Sequence, residues 1–80
     1  MKAETTRISA RNRLPGKITA IKTDGIMAQV ELQVGDNHLV AIVTAEAVAD
    51  LGLEVGQEAV AMIKSTSVML VTREGGIAGL

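Results

Sequence analysis

The chain has 80 residues, a formal net charge of −1 and 48% apolar residues, yet it contains no Phe, Trp, Tyr or Cys. That length holds one small domain, and the composition excludes disulfides, thiolate metal sites and nucleic-acid recognition by aromatic stacking. Val, Ile, Leu, Ala and Met must build the whole core. At about 25 cal/mol per Å² of buried apolar surface, side chains this small leave oligomerisation as the remaining route to stability.

The pattern divides the chain into a flexible N-terminus (1–7), one folded domain (8–72) and a flexible, glycine-rich tail (73–80). From Ile8 to Arg13 polar and apolar residues alternate, and Leu14-Pro15-Gly16 interrupts them. Proline cannot donate to a central ladder, so a bend between two short strands is expected there. Lys17 to Lys22 alternates at period two, and Thr23-Asp24-Gly25 carries turn chemistry. Ile26 to Val34 follows, with Ala28, Val30, Leu32 and Val34 on one face and Met27, Gln29, Glu31 and Gln33 on the other. Gly35-Asp36-Asn37 is a hairpin turn signal, and Leu39 to Thr44 is a β-branched strand.

One helix is predicted. Thr44 is its N-cap, Glu46 suits the positive end of the helix dipole, Ala45, Val48 and Leu51 form its apolar stripe, and Gly52 ends it. After the turn Leu53-Glu54-Val55-Gly56, strands are expected over Ala59–Lys64 and Val68–Val71. Five short strands with one helix between the third and fourth is the element order of an all-β, OB-type barrel.

Enzymatic function fails on inventory. There is no cysteine nucleophile, the one histidine, His38, flanks a hairpin turn, and the acids fall singly without metal-ligand spacing. No glycine-rich phosphate loop is present. No stretch approaches the roughly 20 apolar residues of a membrane span, and the first residues lack an apolar signal core; a cytoplasmic protein that binds neither membrane nor nucleic acid is expected. The charge is nevertheless uneven: six of the eight basic residues precede residue 23, and seven of the nine acids lie between residues 24 and 58.

Two segments could hold an anion: Ser9-Ala10-Arg11-Asn12 and Ile63-Lys64-Ser65-Thr66-Ser67-Val68-Met69. Each sets a cation beside hydroxyls and backbone amides at a strand end, and an Arg fork with a compact Lys charge would offset a dianion. The same residues also fit ordinary strand-end polarity, and the residues alone leave that alternative open.

Three motifs add to this reading. Residues 9–18, SARNRLPGKI, resemble the "SARN.L.GKV" opening of the molbindin, or Mop-domain, family of TOBE-like molybdate-binding proteins. Residues 41–56, AIVTAEAVADLGLEVG, resemble its "VIT.ESV..LGL..G" middle, and residues 61–70, AMIKSTSVML, its "A.IK.S.VML" close. The order and spacing match from about Ile8 to Val71. The resemblance implies an OB-type barrel that assembles as a hexamer, a trimer of dimers, with molybdate or tungstate bound between subunits and no organic cofactor or resident metal. It implies anion contacts from Ser9, Ala10, Arg11 and Asn12, from Lys64 and Ser65, and from the helix start at Ala47, where the family often carries serine. A second interfacial anion site is implied near Lys22, Thr23, Gly25, Ile26 and Met27. There Asp24 and Met27 replace the commoner Gly and Asn, and an acid beside an anion pocket repels its ligand.

The expected function is thus reversible binding of molybdate or tungstate for intracellular storage and homeostasis. An anion-sensing module acting on a partner protein in trans is the alternative. A structural oligomer whose anion site has decayed is the third reading.

Overall fold

The computed structural model describes residues 9–72, so the segments expected to be flexible, and Ile8, lie outside the described residues. Four strands form: β1 (Asn12–Asp24), β2 (Met27–Val34), β3 (Asn37–Thr44) and β4 (Glu58–Ile63). A seven-residue helix α1 (Ala45–Leu51) separates β3 from β4, and a 3-10 turn (Ser65–Ser67) follows β4. The sheet order is β3-β2-β1-β4. The all-β class with a helix between the third and fourth strands is therefore the one the sequence predicts. The described residues form two compact units, one of Arg13–Ala61 and one of residues 9–12 with residues 62–72.

In the larger unit, two hairpins join β1 to β2 and β2 to β3. Asp24 pairs with Met27 and Val34 with Asn37, so each loop has two residues, Gly25-Ile26 and Gly35-Asp36. Gly25 and Gly35 have φ of +64° and +60°, while no non-glycine residue among those described has positive φ. A positive φ confined to the first central residue is the type II′ pattern, whose twist matches the flanking strands. The first turn thus lies one residue later than Thr23-Asp24-Gly25 suggests.

β1 contains the one irregularity the core requires. Ile18 pairs with Leu32 and Ala20 with Glu31, which leaves Thr19 as an extra residue. This bulge shifts the alternation, so that Ile18 and Ile21, three apart and on opposite faces of a regular strand, both reach the core. There they meet Val30 and Leu32 from β2, Leu39, Ala41 and Val43 from β3, Val48 from α1, and Leu53 and Ala59. Both backbone groups of Ile18 are bonded to the turn just before β4: its N–H donates to the Gln57 carbonyl at 2.9 Å, and its carbonyl accepts from the Gly56 N–H at 2.8 Å.

Three local expectations are corrected. Pro15 does not divide two strands; β1 runs through it. Pairing with β2 begins only at Lys17, so the missing proline N–H costs that ladder nothing. Leu51 is 70% exposed rather than part of a buried stripe. Gly52, at φ +65°, reverses the chain directly after it, and Leu53, whose N–H donates to the Val48 carbonyl at 3.0 Å, takes the core position. Val68–Val71 forms no ladder. Val68 has extended dihedrals, but the segment has no strand partner, and Met69 and Leu70 are 88% and 90% exposed.

The polar face of the sheet is organised by Glu31. Its Oε2 accepts from Gln29 Nε2 at 2.9 Å and lies 3.5 Å from Lys22 Nζ, while its Oε1 is 3.1 Å from His38 Nε2. One carboxylate thereby connects β1, β2 and β3. These bonds, led by Gln29 and then His38, with the Lys22 charge, hold the Glu31 pKa below its ordinary value of 4.5 against an opposing desolvation. A depressed carboxylate pKa stabilises the fold above the unfolded value, and the gain disappears as pH falls through the folded one. Melting temperature should therefore drop as pH is lowered below 4.5, and Glu31→Gln should flatten that part of the pH profile in calorimetry.

Gly16 is fixed by close approach. A Cβ there would stand 2.6 Å from the Gln33 carbonyl oxygen and 2.8 Å from Val34 Cγ2. The first contact is backbone and cannot rotate away. Gly16→Ala should lower stability by roughly 1–3 kcal/mol, the usual cost of overpacking, as read by urea denaturation.

Candidate anion site

The smaller unit contains both segments that the sequence marks for anion binding. Along the first, exposure alternates: Ser9 and Arg11 face solvent, Ala10 is buried and Asn12 is half-buried. Small Ala10 is 4% exposed, which anchors the segment while its neighbours present a hydroxyl and a guanidinium. In the second segment, Ile63 ends β4 and is half-buried, and Lys64 and Ser65 are exposed.

The two segments are joined. Asn12 Nδ2 donates to the Ile63 carbonyl at 3.1 Å, a half-buried bond between residues 51 apart in sequence. Directly after it the chain turns. Lys64 keeps extended dihedrals (φ −65°, ψ 141°) and caps the 3-10 turn, whose bonds run from the Ser67 N–H to the Lys64 carbonyl at 2.8 Å and from Val68 to Ser65 at 3.4 Å. The first amides of such a turn, here those of Ser65 and Thr66, have no acceptor within it. They are donors beside a lysine.

The electrostatics of this unit are one-sided. Its described residues, 9–12 and 62–72, include Arg11 and Lys64 and no acid. Among the described residues, neither cation forms an ion pair, since the carboxylate engaged in both ion pairs is Glu31. Two permanent or near-permanent positive charges, the hydroxyls of Ser9 and Ser65, and turn amides form a donor set for a small dianion with several oxygens.

The remaining sequence-marked residues belong to the larger unit. The Ala47 N–H donates to Thr44 Oγ1 at 3.0 Å, so the cap already satisfies the amide that the resemblance offers to an anion. At the β1–β2 turn, Lys22 is engaged by Glu31, and the Ile26 carbonyl accepts from the Ala45 N–H at 2.8 Å. A shallow groove there is lined by Gly25, Ile26, Thr44, Ala45 and Glu46. Thr23 and Met27 lie on the strands flanking this turn, and neither lines the groove. Its acid, Glu46, and the Asp24 at the turn oppose an oxyanion. The Asn12–Ile63 bond and the 3-10 turn after Lys64 are the features sequence reasoning did not anticipate. Asparagine next to arginine reads as a ligand contact, and nothing local in Ser65-Thr66-Ser67 marks a helical turn.

Comparisons with known proteins show the family. The TOBE domain pattern matches residues 8–70. Molybdenum-pterin-binding protein 1 of Clostridium pasteurianum is 43% identical over 65 residues, which span 80% of this chain and 96% of that protein. A molybdate-binding protein from Sporomusa ovata superposes with a TM-score of 0.79 at 32% identity, over 82% of this chain and 98% of that one. The cytoplasmic molybdate-binding protein ModG, in a structure with molybdate bound, superposes with a TM-score of 0.69 at 43% identity, over 74% of this chain and 43% of ModG. The chain belongs to the TOBE-domain family, in its Mop, or molbindin, branch.

Proposed function

We propose that the protein binds molybdate or tungstate reversibly through Ser9, Ala10, Arg11, Lys64 and Ser65, on two segments that Asn12 joins, as an intracellular store that buffers the oxyanion. The observation that carries this reading is that Arg11 and Lys64 lie on segments joined by Asn12, with no acid among the described residues of their unit. A dianion leaving water loses several kcal/mol of solvation unless charge and hydrogen bonds replace it, and two cations with hydroxyl and amide donors supply both. Ala10 contributes backbone only. Ala47 and the turn residues Lys22, Thr23, Gly25, Ile26 and Met27 are not part of the proposed site, because their polar groups are engaged elsewhere or adjoin acids.

Some relatives carry names that pair molybdenum with pterin. The absence of every aromatic residue from this chain favours the bare oxyanion, since no ring is available to stack on a pterin. Binding of this kind breaks no bond. The likeness to a cytoplasmic molybdate-binding protein supports the same compartment here. Sites shared between subunits of a hexamer, a trimer of dimers, suit the exposed apolar side chains of Val60, Met69, Leu70 and Val71. The sensing alternative would use the same site with its output in a partner protein.

Isothermal titration calorimetry with molybdate and with tungstate tests the reading. Hydrogen bonds to charged groups contribute about 1.5–3 kcal/mol each, so Lys64→Ala should weaken binding by roughly ten- to a hundredfold. Arg11→Lys should weaken it too, because the charge remains and the fork is lost. Thr66→Ala and His38→Ala should change little. Lys64→Ala binding as tightly as the parent would place the anion elsewhere.

The ligand should also stabilise the fold by about RT ln(1 + [L]/Kd), near 2.7 kcal/mol at a hundredfold excess over Kd. A melting temperature unmoved by millimolar molybdate would favour a decayed site. Native mass spectrometry should report a hexamer with several anions bound, and a folded monomer at micromolar concentration would contradict the shared-site assembly.

A further inference from the structure

We propose that Asn12 is a positioning residue of the oxyanion site: it fixes the Lys64–Ser65 segment against the Ser9–Arg11 segment instead of contacting the anion. The inference rests on the oxyanion reading above and assigns Asn12 a role different from that of its neighbours.

The geometry separates Asn12 from the donors around it. Ser9, Arg11, Lys64 and Ser65 are exposed, whereas Asn12 is half-buried and its Nδ2 is engaged by the Ile63 carbonyl at 3.1 Å. That bond takes one of the two Nδ2 N–H donors, and Oδ1, an acceptor, repels the oxygens of an anion. The acceptor it holds is well chosen for control of the site. The Ile63 carbonyl shares a rigid peptide plane with the Lys64 N–H, so the bond sets the direction in which the chain leaves β4 and enters the 3-10 turn. That turn begins at Ser65 and is capped by Lys64. Lys64 and Ser65 inherit their placement from this single plane.

The test is calorimetry with molybdate on the parent, Asn12→Ala, Asn12→Gln, Lys64→Ala and the Asn12→Ala/Lys64→Ala double variant. Asn12→Ala should bind about tenfold more weakly, the scale of one net hydrogen bond. Asn12→Gln keeps an amide that can reach the carbonyl and should recover part of the loss. In the Lys64→Ala background the Asn12→Ala change should cost much less, because the lysine it positions is gone. Equal affinity of Asn12→Ala and the parent, or additive losses in the double variant, would overturn the inference while leaving the oxyanion reading in place. A parent that binds no molybdate would overturn both.

A measurement on the unmodified protein guards against a variant that fails to fold. In ¹⁵N NMR, added molybdate should move the backbone amide signals of Lys64 and Ser65 and leave the Asn12 side-chain amide signals in place. Asn12 signals that shift as far as those of Ser65 would mean direct contact and would contradict the positioning role.

Discussion

A hydrogen bond from Asn12 to the Ile63 carbonyl is the interaction on which the proposed anion site depends. It ties together two stretches of chain that sequence places at opposite ends of the domain. Closing a loop of about fifty residues costs entropy that grows only slowly with length, so the expense of bringing the ends together is met by the folding of the segment between them. The β-sheet and helix between Arg13 and Ala61 complete that loop. What remains for Asn12 is orientation, and orientation is what a site for a small dianion needs, since its donors must converge on a few oxygen atoms.

Charge follows the same division. Seven of the nine acids lie between residues 24 and 58, within the larger unit, and the described part of the smaller unit has none. Glu31 gathers Lys22 and His38 on the sheet surface, which keeps one basic residue of the N-terminal half occupied with the fold. Arg11 and Lys64 are left with neighbours that donate rather than compete. The weak overall charge of −1 thus conceals a locally cationic unit, and a local arrangement suits a compact oxyanion better than an extended polyanion.

Much of this was legible in the sequence. Period-two alternation identified the inward face of β2, because a half-buried strand must alternate. Thr44 and Gly52 delimited the helix through their capping chemistry, which is local. The bulge at Thr19 was not legible, although its trace is present: Ile18 and Ile21 are out of phase for a regular strand. Pro15 misled because its effect depends on where the neighbouring strand begins pairing, and Leu51 misled because a left-handed glycine turns the chain and gives the core position to Leu53. At the site, the motif residues of the two segments were legible as types, and the resemblance to Mop domains connected them. The role of Asn12 was not, because its partner is a backbone carbonyl 51 residues away that no side-chain pattern encodes.

The exposed apolar segment Val68–Val71 and the small core are two sides of one constraint. With no aromatic residue to fill space, only five apolar residues among those described, Ala10, Ile18, Ala28, Val30 and Leu32, are buried. Much apolar surface is left exposed, which is what the proposed assembly would cover. The account's central claim is the location of the anion, and a crystal structure of the protein grown with molybdate, phased at the molybdenum absorption edge, tests it most directly. The account predicts an anomalous peak within hydrogen-bonding distance of Arg11, Lys64 and Ser65, with the Asn12–Ile63 bond intact. A peak at the 22–27 turn, with none beside Lys64, would contradict it.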